Sequence, residues 1–69
     1  MISILQAEPG KDYSISMLCD EIMMTDRGLI PGETIVLNKI QGGLVWFDLP
    51  ETGASLFMRE ENAKCIKIE

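Results

Sequence analysis

The side chains in this chain whose types could do chemistry are soft ones and acids. Cys19 and Cys65 supply thiols, Met17, Met23, Met24 and Met58 supply thioethers, and Asp20-Glu21 and Glu60-Glu61 supply adjacent carboxylates. Thiolates and thioethers together suit Cu(I) better than Fe(II). A metal site shared by the two cysteines would need extra ligands from carboxylates, because the chain contains no histidine. The same absence removes the side chain best matched to acid–base work at neutral pH. Gly42-Gly43 runs into Leu44-Val45 and lacks the Lys-Ser/Thr of a phosphate loop. Neighbouring exposed carboxylates most often form a solvated face. The expectation is therefore a protein that is not an enzyme, with no catalytic residues, no cofactor and no metal site of high affinity. The cysteines with added carboxylates, and the thiol–thioether set, are the routes to a metal-binding alternative. The cysteines form no CxxC; a single disulfide is open to them, but the ordinary reading in a cytosolic chain is two reduced, buried thiols.

With 69 residues the chain makes a single domain, 1–69, whose core is small. It is 46% hydrophobic and 25% charged, ordinary values for a soluble globular protein. Six Lys and Arg against eleven Asp and Glu give a net charge of −5 with no basic cluster. That argues against a nucleic-acid partner and against an acidic lipid surface. No apolar run reaches the ~20 residues of a membrane span, so no direct membrane insertion is expected. The start, MISILQAEPG, has neither the basic end nor the apolar stretch of a secretory signal, and a cytoplasmic location is expected.

The elements that must position these residues follow from periodicity and punctuation. After Ile2, Ile4 and Leu5, Pro9-Gly10 marks a turn, and Lys11 to Met17 alternates with Tyr13, Ile15 and Met17 on one side, as a half-buried strand does. The period then changes. Leu18, Cys19, Ile22 and Met23 form one stripe of a short helix with Ser16 as its N-cap, Asp20 and Glu21 in its first turn, and Arg27 and Gly28 closing it. Leu29 and Ile30 are placed to drop back onto the core. Pro31-Gly32 fits the centre of a type II turn, with proline setting φ and glycine supplying φ > 0. Strands follow over Glu33–Ile40, Leu44–Leu49, Ser55–Arg59 and Lys64–Glu69, with a turn or single helical turn at Glu60–Ala63. Short strands at close spacing with glycine turns suggest a small barrel. The expected core is Ile15, Leu18, Ile22, Leu29, Ile35, Leu37, Phe47, Leu49, Leu56, Ile66 and Ile68.

Two places stand out as candidate partner contacts. Met24 falls on the helical face of Asp20, away from the apolar stripe, so it is expected to be exposed. With Arg27 and the Leu29, Pro31 and Gly32 turn it would form a small apolar patch beside charge on a rigid support. Trp46 lies opposite Val45 and Phe47 in its strand, and is either an interface anchor or a cover for the end of the fold beneath a loop.

The order of these signals resembles the FeoA family, the small cytosolic component of bacterial ferrous-iron uptake. The resemblance rests on Ile4, Pro9-Gly10, the strand through Ile15, DRGLIPG from Asp26 to Gly32, and the close SLFMREENAKCIKIE with Leu56, Met58, Arg59, Ala63, Ile66 and Ile68. It spans essentially the whole chain. The resemblance implies a mainly β fold, a small five-stranded SH3-like barrel with one short helix between the first and second barrel strands. It also implies a non-enzymatic role in iron transport, as a protein that binds and modulates the FeoB-type membrane GTPase conducting ferrous iron. The same fold occurs as the C-terminal domain of DtxR-type iron-dependent repressors, which leaves a regulatory or transition-metal-binding domain as the alternative.

Overall fold

Six strands and two short helices succeed one another in the computed structural model, which describes all of residues 1–69: β1 (Ile2–Ser3), a 3-10 turn (Ile4–Gln6), β2 (Asp12–Met17), α1 (Glu21–Asp26), β3 (Thr34–Gln41), β4 (Leu44–Leu49), β5 (Ala54–Arg59), α2 (Glu60–Ala63) and β6 (Lys67–Ile68). All pairings are antiparallel, in the order β1-β6-β2-β3-β4-β5. The mainly β class expected from the sequence is what the chain adopts. The count is six strands because the first apolar residues add the short β1, and the terminal strands β1 and β5 do not pair with each other.

Alternation places the core. Ile35 and Leu37 of β3, and Val45, Phe47 and Leu49 of β4, are buried, while their neighbours face outward or sit half-buried. Gly42 and Gly43, with φ of 59° and 76°, form the two-residue turn that lets Gln41 face Leu44, because both central positions of such a hairpin need left-handed backbone. A bulge between Leu37 and Lys39 frees the Asn38 side chain to donate to Asp48, which also accepts from Ser55 Oγ at 2.7 Å. These two donors, Ser55 first, hold the Asp48 carboxyl below its ordinary range. At the start of the chain Ser3 caps the 3-10 turn, exchanging hydrogen bonds with Gln6, and its Oγ donates to Lys64 O at 2.8 Å. The first residues are thereby tied to the last turn.

Of the eleven expected core residues, Ile22 is the clear exception: it is 80% exposed. Leu56 is half-buried and packs against the core. The error lies in the helix phase. Ser16 belongs to β2 and caps nothing; Asp20, in left-handed backbone at φ 47°, is the N-cap, and its Oδ1 accepts from the Met23 amide at 3.2 Å. Residues before Asp20 are not helical, so counting turns from Leu18 rotates the stripe to the wrong side. Met17 is also exposed, because the β2–β6 register shifts between Ile15 and Met17 and the alternation is lost there.

The cysteines are not free thiols. Cys19 and Cys65 are joined in a disulfide with Cα atoms 5.6 Å apart. Register accounts for the pairing. Met17 faces Lys67 across β2 and β6, and two residues further along each chain in the antiparallel sense stand Cys19 and Cys65. Closing a loop of this span restricts the unfolded chain. Reduction, or the double variant Cys19→Ser with Cys65→Ser, is expected to lower unfolding stability by about 2–4 kcal/mol. Urea unfolding with and without reductant measures it, and an unchanged midpoint would contradict the pairing.

Candidate functional site

The segment from Gly28 to Glu33 is built by hydrogen bonds that need its glycines. Gly28, at φ 89°, follows the helix; its amide donates to Thr25 O at 2.9 Å and the Leu29 amide donates to Met24 O at 3.0 Å. That pair of bonds is the Schellman termination, which brings the residue after the glycine back against the last helical turn. The two residues it brings together are Leu29 and Met24, and both are fully buried. The next turn closes with Glu33 N donating to Ile30 O at 3.1 Å, with Pro31 and Gly32 (φ 94°) at its centre, as the type II reading requires. Gly32 N then donates to Ile15 O at 2.7 Å, locking the turn onto β2.

This geometry takes apart the patch expected from the sequence. Met24 is a core residue, 0% exposed, and cannot contact a partner; Leu29 lies beside it in the core. Arg27, Pro31 and Gly32 are exposed as expected. Ile30, expected to fold inward, is 55% exposed. From the end of β2 to the start of β3 the exposed large apolar side chains are Met17, Ile22 and Ile30, and Arg27, Pro31 and Gly32 are exposed in the same stretch. Asp20 was the signal that could have found Ile22: an Asp three residues before a helical amide, in a chain turning out of a strand, is a better cap than a serine still inside the alternation.

Trp46 sits half-buried on the outer face of the sheet, with Lys39 Nζ 4.6 Å from its ring centre and the Phe57 ring 6.2 Å away, tilted by 31°. It is the inner member of an aromatic pair whose outer member, Phe57, is 58% exposed. Alternation along the chain does not single out Phe57, whose position shows only once β4 and β5 are set in register, Trp46 facing Phe57. Both arginines of the chain, Arg27 and Arg59, line one shallow depression of about 230 Å³ with Leu44, Phe57, Met58 and Asn62. Near the Pro-Gly turn, the buried Glu33 keeps one carboxylate oxygen, Oε1, without a partner.

No three His, Cys, Asp or Glu side chains are grouped so as to hold a metal ion. No helix is long and apolar enough to cross a membrane. Compared with protein-family models, with curated proteins and with solved structures, the chain gives no match.

The burial difference between neighbouring helical residues has a direct test. Met24→Ala removes a buried side chain that closes the helix end and is expected to cost about 2–5 kcal/mol. Ile22→Asp, two residues away in the exposed first turn, is expected to stay within about 0.5 kcal/mol of the parent. Denaturant unfolding of both variants checks the assignment; equal losses would overturn the helix phase.

Proposed function

We propose that this chain is a FeoA-like SH3-like barrel domain that acts by binding, as an accessory to a FeoB-type membrane GTPase that conducts ferrous iron. The reading rests on the resemblance of its ordered motifs, and several structural features support it. A helix lies between the first two long strands, DRGLIPG forms a left-handed helix stop followed by a Pro-Gly turn, and β2 is shared between β3 and β6. The sheet does not close, since β1 and β5 do not pair with each other; the sharing of β2 between β3 and β6 is what supports the barrel reading.

The observation that carries the binding role is the β2–β3 connection. It displays Met17, Ile22 and Ile30 on a frame held at both ends, by the disulfide at Cys19 and by the Gly32 bond to β2. Exposed apolar side chains on a rigid support make an interaction patch whose docking needs little ordering. This corrected surface, Ile22 with Arg27, Ile30 and Pro31, replaces the Met24-centred patch. The shallow depressions and the absence of a grouped ligand set suit a module that works by contact and not by catalysis.

Passing detergent-solubilised membranes from iron-starved bacteria over the immobilised chain tests the proposal. The membrane GTPase is expected to be retained by the parent and lost at least about tenfold with Ile22→Asp, the scale of one interface anchor. Retention of no membrane GTPase by the parent would overturn the partner, and equal retention by Ile22→Asp would overturn the surface. Retention of a DNA-binding repressor instead would favour the regulatory alternative.

A further inference from the structure

β5 is an open sheet edge whose one guard is the charge of Arg59 at its C-terminal end. Glu60 N donates to Gly43 O at 2.9 Å, and the β4–β5 register continues from that pair without a break from Leu44 facing Arg59 to Leu49 facing Ala54. In an antiparallel ladder, bonded and non-bonded pairs alternate. Val45/Met58, Phe47/Leu56 and Leu49/Ala54 are therefore the bonded pairs, and the amides and carbonyls of Ser55, Phe57 and Arg59 point away from β4. No strand lies on that side, and apart from the Arg59 carbonyl, which caps the first turn of α2, none of these groups bonds to another element. Sheet edges are ordinarily guarded by charged side chains, lysine above all, by proline, by a bulge or an inward charge, or by a covering helix or loop. ASLFMR has no proline and no lysine, its ladder is unbroken, and its inward residues are Ala54, Leu56 and Met58. The opposite edge, β1, is only two residues long.

We propose that this edge pairs with the same edge of a second copy, β5 to β5, antiparallel about a two-fold axis at Phe57. The strand's own sequence favours this occupant. Only the register that sets Phe57 against Phe57 uses all three outward residues, because it also sets Ser55 against Arg59 of the second copy and the reverse. In that register the strand's one charge meets a hydroxyl, never its like. The outer face becomes a row of four aromatic rings, Trp46 and Phe57 from each copy, covering the exposed Phe57. On the inner face Leu56 meets Met58, apolar against apolar. A segment complementary to itself on both faces and along its backbone is what an isologous interface requires. Opposing it is the net charge of −5 on each copy, so association strengthens with salt.

Sedimentation velocity over a wide concentration range, paired with amide NMR of the same samples, tests this. The expected result is a mass rising from 7.7 kDa toward twice that value, more readily at higher salt, with concentration-dependent shifts centred on Ser55, Phe57 and Arg59. Phe57→Lys should weaken dimerisation by at least about tenfold through lost aromatic contact and a doubled like charge at the axis. Ser55→Pro removes one outward donor, and with it the Oγ bond to Asp48, but leaves the β4 backbone ladder intact; it should also weaken dimerisation, while the monomer spectrum of both variants stays folded. A monomer at every concentration overturns the proposal. So does a dimer that either folded variant leaves unchanged, or one whose shifts centre on α1. Capture of an extended segment of another protein at this edge, with the chain itself monomeric, overturns the choice of occupant.

Discussion

Two consecutive residues of β2 are bonded in opposite directions, and the fold depends on both. Ser14 exchanges both of its backbone hydrogen bonds with Glu69, at 2.9 Å each, while Ile15 donates to Glu33 O and accepts from Gly32 N. Before this point β2 pairs with β3 alone, and beyond it with β6 alone. The strand thus belongs to two half-sheets, and the Ile15 side chain, 1% exposed, fills the angle between them. A domain this small has too little core to hold two separate sheets, so a shared strand is an economical way to enclose one.

Other constraints extend from that crossing. The residues that bond to Ile15 come from the Pro-Gly turn, so the turn is part of the frame and not a passive connection. The β2–β6 register, prolonged past the last paired residues, brings Cys19 beside Cys65. Ile4 N donates to Ile66 O at 2.9 Å, and Ser3 to Lys64, so the start of the chain is fastened to the turn before β6. The helix between β2 and β3 is short and isolated in its backbone bonding, and short helices depend on side-chain packing for their stability. Met24 and Leu29, drawn together by the Gly28 termination, provide it.

Much of this was readable in the residues themselves where the signal is local. Gly42-Gly43 between alternating runs gave a hairpin, Gly28 a helix end and Pro31-Gly32 a turn, since each depends on φ at one or two positions. The buried faces of β3 and β4 followed from strict alternation. What escaped depended on register between distant segments. The disulfide, the exposure of Met17 at a bulge and the Trp46–Phe57 pair all require knowing which residue faces which. The helix face failed for a different reason. One left-handed Asp20 shifts the start of α1, and in a helix of six residues that shift exchanges Ile22 for Met24. The candidate surface inherited the error, keeping Arg27, Pro31 and Gly32 and losing Met24 and Leu29 to the core.

The crossing at Ser14 and Ile15 should be the last part of the molecule to open. Native-state amide hydrogen exchange measures this directly. The Ser14 and Ile15 amides are expected to exchange only by global unfolding, with an opening free energy equal to that from denaturant melts, while the amides of α1 exchange through smaller local openings. Ser14 and Ile15 amides exchanging as readily as those of α1 would contradict it.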